Sequence, residues 1–146
     1  SDVCSSDLNK NVPLQDVSAI ASGGEIARLM LALKELIARR TQLPTIVFDE
    51  IDTGVSGTMA EHMAQVMKQM SANCQVLCIT HLPQIAAWGN HHFRVYKEDS
   101  NGSTRSHIQP LNTEEKITEL AHMLSGEHLS DAAIENAKTL IQNAHN

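Results

Sequence analysis

The sequence predicts an α/β fold with a parallel sheet, and three consecutive segments carry this prediction. Residues 45–48 and 75–79 are short apolar runs without alternation, which is typical of strands covered on both faces. Residues 58–70 lie between them and carry apolar side chains at helical spacing. A strand, a helix and a second strand at this spacing form a βαβ unit, whose two strands are parallel.

Composition limits the class of protein. A length of 146 residues favours one domain, and 42% hydrophobic with only 3% aromatic residues predicts a mainly aliphatic core. The formal charge of −6 argues against a broad DNA-binding surface in this segment, although it leaves room for a local patch. The printed sequence has no apolar run of about 18 residues and no secretory signal. Its three cysteines make no disulfide framework, so we expect a cytoplasmic protein without a membrane partner.

The chain ahead of the first predicted helix divides after residue 8. Residues 1–8 are polar and without pattern, so we assign this leader no part in the fold. Residues 9–20 combine a proline with scattered apolar positions, which predicts an extended connector. We treat residues 9–146 as a single lobe, because no internal linker or repeat interrupts them.

A helix is predicted over residues 23–40. Ser22 and Glu25 form a capping-box pattern, in which each side chain bonds to the backbone of the other residue. Pro44 then prevents the helix from continuing. Helical spacing predicts one buried apolar stripe, made of Ile26, Met30, Leu33 and Ile37.

The region beyond the second strand is predicted to contain a hairpin and terminal helices. Thr113 is the expected N-cap of the penultimate helix, although Lys116 stands where a capping box has Glu. The predicted elements are a short helix at 82–88, strands at 92–97 and 104–110 joined by a turn at 100–102, and helices at 114–124 and 130–143.

Two adjacent acids, Asp49 and Glu50, directly follow the first apolar strand. Charged side chains in that position are costly unless they have partners. In a functional interpretation, Asp49 holds Mg²⁺, directly or through water, and Glu50 polarises an attacking water, as phosphoryl transfer requires. The plainer interpretation is a solvated strand end followed by a turn.

Ser22, Gly23, Gly24 and Glu25 form a small glycine-rich turn at the start of the first predicted helix. Glycines allow a backbone to approach a phosphate closely, and a helix N-terminus favours an anion. An ordinary helix cap explains the same four residues and remains the alternative.

His81 and Asp52 complete the set of candidate residues. His81 follows the second strand, so we expect it at the same sheet edge as Asp49 and Glu50, where it can hydrogen-bond a γ-phosphate. Asp52 lies in the loop just past the acids and is a candidate for contacts across an active site. A surface histidine and a simple turn residue are the alternatives.

Together these motifs resemble the carboxyl-terminal lobe of an ABC-type ATPase head, a P-loop NTPase-like fold. Within that superfamily the chain resembles the bacterial DNA-repair family RecN, whose plan is similar to that of the SMC proteins, with a split ATPase head joined by a coiled coil. The resemblance runs from about residue 9 to the carboxyl end. Its motifs are Ala-Ser-Gly-Gly-Glu at 21–25, Phe-Asp-Glu-Ile-Asp-Thr-Gly-Val-Ser-Gly at 48–57 and Ile-Thr-His-Leu-Pro-Gln-Ile-Ala-Ala at 79–87.

The resemblance implies a role for each residue at the sheet edge. Asp49 corresponds to the magnesium-associated acid that closes the Walker B strand. Glu50 corresponds to the general base. His81 corresponds to the switch residue that contacts the γ-phosphate.

The resemblance also implies contacts between two heads. Ser22, Gly23 and Gly24, with Glu25 beside them, correspond to the signature turn that binds the ATP held by the opposite head. Asp52 corresponds to the loop that couples the two sites. Two heads are therefore expected to enclose two ATP molecules, and hydrolysis is expected to separate them.

Several partners follow from the same resemblance. The loop Gly-x-x-x-x-Gly-Lys-Ser/Thr is absent from the printed sequence, so an amino-terminal Walker A lobe and a coiled coil are expected elsewhere. The implied setting is double-strand-break repair and recombination in the nucleoid, with DNA bound through the full-length protein and recombinase RecA as a suggested partner. This chain alone is expected to be essentially inactive.

Two other functions remain open at this point. A transporter-type ATPase subunit shares the site chemistry, although such heads usually have Gln in the place of Glu25. A non-catalytic module that only dimerises or docks a partner is the second alternative.

Overall fold

In the computed structural model of this protein, the described residues are 21–100, 103–126 and 128–145. The predicted leader at 1–8, the connector at 9–20 and the centre of the hairpin turn at 101–102 lie outside them. The elements follow in this order: α1 (Gly23–Thr41), β1 (Thr45–Asp49), α2 (Thr58–Met70), β2 (Gln75–Ile79), α3 (Pro83–Ala86), β3 (His92–Ser100), β4 (Ser103–Leu111), α4 (Thr113–Ser125) and α5 (Asp131–His145).

The predicted βαβ unit is confirmed, because β1 and β2 pair in parallel and α2 is the crossover between them. The register aligns Thr45 with Gln75 and Asp49 with Ile79. α2 buries one side made mainly of Ala and Met, as helical spacing predicted. Because the strands are parallel and in register, the polar residues that follow them emerge at one end of the sheet.

Only one face of β1 is covered, so the prediction of a strand buried on both faces is wrong. Ile46 and Phe48 are buried, whereas Val47 is 47% exposed. Leu77 and Ile79 of β2 are also exposed. Successive residues of a strand point to opposite faces. These three exposed side chains therefore form an apolar sheet face that the described residues leave largely open.

α1 packs through a different side than predicted. Gly24, Ala27 and Leu31 are its buried residues. The residues of the predicted stripe are instead exposed, and these are Ile26, Met30, Leu33 and Ile37. Leu29 and Leu36 are exposed as well. Periodicity identifies an apolar stripe but not its partner, and here the small side chains on another side of the helix allow the close packing.

The hairpin and terminal helices form where predicted, with one correction at a cap. β3 and β4 pair antiparallel and are both longer than predicted. The N-cap of α4 is Asn112 rather than Thr113, since Asn112 Oδ1 accepts from the N–H groups of Glu114 and Glu115 at 2.9 and 3.0 Å. Glu115 in turn accepts from the Asn112 N–H at 2.8 Å. The capping box is therefore complete, one residue earlier than predicted.

Buried side chains form two clusters that meet near α3. The first cluster packs α1, β1 and α2 together, and Phe48 and Met63 are among its most buried members. The second joins α4 to α5 through residues such as Leu120 and Ala137. Trp88 packs against both clusters. No helix within residues 21–100, 103–126 and 128–145 is long and apolar enough to cross a membrane.

Candidate functional site

The two candidate acids lie at the carboxyl end of β1. Asp49 is the last residue of the strand, Glu50 begins the following turn, and both are exposed. Glu50 has a φ of 52°, in the left-handed region that non-glycine residues seldom adopt. The Thr53 N–H and Oγ1 both donate to the Glu50 carbonyl, at 3.4 and 3.1 Å. This turn holds Glu50 in a conformation that presents its carboxylate to solvent.

A groove of about 290 Å³ connects these acids to the start of α1. Its lining includes Gly23, Ile26, Met30, Lys34, Asp49 and Glu50. Lys34 Nζ donates to the Val47 carbonyl at 2.8 Å and lies 4.9 Å from the centroid of the Phe48 ring. The groove therefore contains two carboxylates, one ammonium group and glycine backbone.

Asp52 points into the protein rather than into that groove. It is 1% exposed, the only charged residue among the buried side chains of the described residues. Its Oδ2 accepts a hydrogen bond from Thr80 Oγ1 and another from the His81 N–H at 3.0 Å. The Thr80 hydroxyl also accepts from the Leu82 N–H at 3.0 Å. Asp52 thus joins the loop after β1 to the end of β2.

His81 follows β2 at the same sheet edge as the acids and contacts Asp52. The β1–β2 register sets Asp49 opposite Ile79, so that Glu50 and His81 leave the sheet at the same edge. The His81 side chain is 73% exposed, and its Nδ1 lies 3.2 Å from Asp52 Oδ2. When Nδ1 carries the proton it donates to this carboxylate, which fixes the ring orientation. Nε2 then remains available to a ligand.

The predicted signature turn forms a complete capping box at the start of α1. Glu25 Oε2 accepts from the Ser22 N–H at 2.8 Å and from Ser22 Oγ at 2.7 Å. Ser22 Oγ accepts in turn from the Glu25 N–H at 3.4 Å. The Ser22 side chain and then its backbone stabilise the ionised carboxyl, and so they lower the pKa of Glu25. Glu25 is therefore engaged by the cap, while Gly23 lies at the groove.

Gly24 brings this turn against the loop that carries Asp52. A Cβ at Gly24 would lie 2.8 Å from the carbonyl oxygen of Gly54. Gly54 itself has a φ of +72°, which suits glycine. A close approach between two backbones therefore requires glycine at both positions. This contact links the start of α1 to the loop after β1.

Gly24→Ala should consequently destabilise the protein. The new methyl group meets a backbone oxygen that cannot rotate away, so we expect a loss of about 1–3 kcal/mol in the free energy of unfolding. Urea denaturation followed by circular dichroism measures this loss. Gly23→Ala is the matched control, because its Cβ would lie at an ordinary 3.6 Å from the Thr53 carbonyl oxygen. Equal stabilities for the two variants would contradict the backbone contact.

Cys78 on β2 should react slowly in the folded protein. Burial, and then the negative charge of Asp52, raises the pKa of the Cys78 thiol from 9.0 to about 11. The thiolate is the reactive form, so near pH 8 its population falls roughly a hundredfold relative to an unperturbed thiol. Iodoacetamide labelling followed by mass spectrometry should show slow modification of Cys78 until denaturant is added. Labelling at the same rate in both states would show that the thiol is not shielded.

The acids fit part of a magnesium site. Mg²⁺ is commonly held by one or two carboxylates, with water and substrate phosphates as the other ligands. Asp49 and Glu50 offer exposed carboxylates at the groove. In the part of the chain that the structure describes, no group of three or more His, Cys, Asp or Glu residues is arranged to hold a metal by itself. Magnesium here would rely on ligands beyond those side chains.

Sequence reasoning missed several contributors to this site. Lys34 belongs to no recognised motif, and Thr80 lies in the motif at 79–87 but was given no role of its own. The hydrogen bonds of both residues run to residues far along the chain. The left-handed conformation of Glu50 also carried no signal, because glutamate is not typical of that region. Gly54 had one available signal, since a glycine soon after a strand often marks a positive φ.

Proteins named DNA repair protein RecN align with most of the chain. The Bacillus subtilis (strain 168) protein is 41% identical over 136 residues, which is 93% of this chain and 24% of that protein. The Vibrio cholerae protein is 38% identical over 133 residues, 91% of this chain and 24% of that protein. The Deinococcus radiodurans protein is 41% identical over 133 residues, 91% of this chain and 23% of that protein. The chain spans about a quarter of the length of these curated relatives.

The fold is similar to that of a solved structure. It comes from work on the structural biochemistry of ATP-driven dimerization and DNA-stimulated activation of SMC ATPases. The TM-score is 0.60 at 23% identity, covering 81% of this chain and 70% of that chain. No family model matches the chain. The fold agrees with the predicted ATPase-head lobe, and the alignments confirm the resemblance to the RecN family.

Proposed function

We propose that this chain, a homologue of about a quarter of the RecN protein, forms one lobe of an ATPase head that acts in DNA repair. The observation that carries the proposal is the placement of Asp49, Glu50 and His81 after the paired ends of two parallel strands, with His81 held by Asp52. The ligands of open α/β sheets bind at the carboxyl ends of the strands. The lobe would comprise residues 9–146.

Each of these side chains has a distinct task in the proposed reaction. Asp49 holds Mg²⁺, directly or through water, and Glu50 accepts a proton from the water that attacks the γ-phosphate of ATP. His81 hydrogen-bonds that phosphate through Nε2, while Asp52 holds the ring through Nδ1. Magnesium supplies charge neutralisation when it is bound together with the nucleotide.

A second lobe would complete the head. The phosphate loop and its lysine, on which P-loop enzymes rely, are not in the printed sequence. Two exposed apolar surfaces support the presence of a packing partner. One is the open sheet face of Val47, Leu77 and Ile79, and the other is the exposed side of α1. Contiguous apolar surfaces of this kind mark sites where another protein surface packs.

A second head would complete the catalytic cycle. In this proposal, Ser22, Gly23, Gly24 and Glu25 face the ATP of the opposite head, and Asp52 belongs to the loop that couples the two sites. The contact of Gly24 with Gly54 supports this coupling, because it joins the signature turn to that loop. ATP binding would close the two heads and hydrolysis would release them.

The proposed setting is the repair of DNA double-strand breaks and recombination. Support comes from the relatives named DNA repair protein RecN. DNA association through the full-length protein, a role near the nucleoid in the cytoplasm and an interaction with recombinase RecA belong to the same proposal. A chain that lacks the phosphate loop should hydrolyse ATP negligibly by itself.

A complementation experiment tests the two-head arrangement. Heads are prepared from this chain and its complementary lobe, carrying either Ser22→Arg or Glu50→Gln. In a pair of heads that enclose ATP between them, Ser22 of one head and Glu50 of the other serve the same nucleotide. A mixed pair therefore retains one intact site, so mixing two inactive preparations should restore turnover.

The competing geometry predicts the opposite result. Gly23 and Glu50 line one groove within a single chain, which would allow both to serve the same head's nucleotide. Under that arrangement no mixed pair has an intact site, and the mixture stays inactive. Each variant mixed with itself is the control for the residual turnover of that variant.

A non-catalytic docking module is the second candidate, and the exposed apolar side of α1 favours it. Such a module would bind its complementary lobe without producing turnover. ATP hydrolysis by the assembled head, lost in Glu50→Gln, would exclude this candidate.

A further inference from the structure

Four basic side chains meet where α2, α4 and α5 approach the turn after α3. Lys68 Nζ donates to Asn90 Oδ1 at 2.5 Å, and Lys116 Nζ donates to the Gly89 carbonyl at 3.0 Å. His92 Nε2 lies 2.7 Å from the Ala86 carbonyl oxygen. His145, near the end of α5, is the fourth member. We call Lys68, Lys116, His92 and His145 the basic cluster.

The charges of this cluster repel one another. Burial, and then the positive charge of Lys68, lowers the pKa of Lys116. Burial, and then the charges of Lys116 and Lys68, lowers the pKa of His145. Burial is also the main cause of the lowered pKa of His92, partly offset by its bond to the Ala86 carbonyl, with Lys116 a further contributor. The two ammonium groups thus share a partly buried site.

No carboxylate neutralises these ammonium groups in the described ranges. None of the ion pairs found there, within 4.0 Å, includes Lys68 or Lys116. Nearby acids are engaged elsewhere, since Glu115 accepts from the Asn112 N–H and Glu135 pairs with Lys138. Lys68 and Lys116 bond to two neighbouring residues, Asn90 and Gly89, and two such cations without a carboxylate partner are unexpected in a chain with a formal charge of −6.

A groove of about 310 Å³ opens beside the cluster. Its lining includes Asn90, His92, Asn112, Thr113, Lys116 and Lys138. The first N–H groups of α4 are taken up by the Asn112 cap, so cationic and amide side chains supply the donors here rather than the helix end. An ammonium group has three N–H donors, and Lys116 has one assigned protein acceptor, the Gly89 carbonyl.

We propose that this groove, which Lys116 lines and which Lys68 adjoins through its bond to Asn90, binds a phosphate group, either a phosphodiester of a DNA backbone or a free phosphate. An anion would relieve the repulsion between the two ammonium groups, and phosphate offers several acceptor oxygens to their remaining donors. The groove is formed by different residues from those of the Asp49–Glu50 groove. The site therefore does not depend on the proposed ATPase chemistry.

The test compares two charge-matched double variants of the full chain. Lys68→Gln with Lys116→Gln removes two charges from the cluster, and glutamine still offers an N–H to each carbonyl. Lys97→Gln with Arg105→Gln removes two charges from the exposed hairpin. Fluorescence anisotropy at low salt measures binding to a short labelled DNA duplex, and amide NMR shifts at Gly89 and Asn90 follow a titration with inorganic phosphate.

We expect the cluster variant to bind duplex DNA about tenfold more weakly than the parent. The slope of its logarithmic binding constant against the logarithm of salt concentration should also become shallower by about two. The affinity of the hairpin variant should stay within about twofold of the parent. The duplex affinity of Lys68→Gln alone should lie between those of the two double variants. A circular dichroism melt that matches the parent establishes that each variant is folded. Phosphate shifts without duplex binding would assign the site to free phosphate. Equal losses in both double variants, or no response to either ligand, would overturn the proposal.

Discussion

Replacing Glu50 by glutamine should lower ATP turnover of the assembled head by about 10²–10⁴-fold, the usual effect of losing a general base. Glutamine keeps the size of the side chain and its place at the groove, but it cannot accept the proton of the attacking water. Glu50 is exposed and forms no ion pair in the ranges that the structure describes, so its loss should leave the fold intact. Single-turnover kinetics at saturating ATP measure the effect on the chemical step.

Glu61→Gln provides the matched control for that variant. Glu61 is an exposed carboxylate in the first turn of α2, away from the lining of the Asp49–Glu50 groove. Its replacement removes the same charge and should leave turnover within about twofold, as is usual for a surface substitution. Similar losses in both variants would mean that Glu50 acts only through its charge.

Asp52→Ala should cost about 3 kcal/mol in the free energy of unfolding, the largest stability effect that we expect at the site. Asp52 is 1% exposed, and its Oδ2 accepts from Thr80 Oγ1 and from the His81 N–H. Alanine leaves these donors without their partner and opens a small cavity. Urea denaturation measures the loss, and nitrogen NMR shifts of His81, compared between variant and parent, report which ring nitrogen carries the proton.

Two comparisons separate the network from a general loss of charge. Asp99→Ala removes an exposed carboxylate that accepts a hydrogen bond from Thr104 Oγ1, and should cost less than about 1 kcal/mol. Asp52→Asn retains an acceptor for Thr80, so its loss in the free energy of unfolding should lie between those of Asp52→Ala and Asp99→Ala. A cost for Asp52→Ala as small as that for Asp99→Ala would contradict the structural role of the buried carboxylate.

The βαβ unit and the positions of the catalytic candidates could be predicted because both depend on local signals. Apolar runs fix where the strands lie, and parallel strands bring the residues after them to one edge. The capping box at Ser22 and Glu25 was equally local. The predicted N-cap of α4 was one residue too late. Glu115 lies three residues after Asn112, as a capping box requires, and this spacing identifies Asn112 rather than Thr113 as the cap.

The remaining differences concern which residues pack against one another. Helical spacing identified Ile26 and its neighbours as apolar, but the described residues pack instead against Ala27 and Leu31. The bond of Asp52 to Thr80 joins residues 28 positions apart, and no local pattern predicts such a pair. The approach of Gly24 to Gly54 depends on the same long-range arrangement. The pattern of residue types predicts elements, whereas these contacts require the assembled fold.

Steady-state ATP hydrolysis by this chain, combined with a separately prepared amino-terminal lobe, tests the central claim most directly. The assay is run for each part alone and for the mixture, with and without linear DNA. We predict negligible turnover by either part, turnover in the mixture that requires Glu50, and a further rise with DNA. Substantial hydrolysis by this chain alone, or none in a folded mixture that binds ATP, would contradict the proposal that it supplies one lobe of a split DNA-repair ATPase.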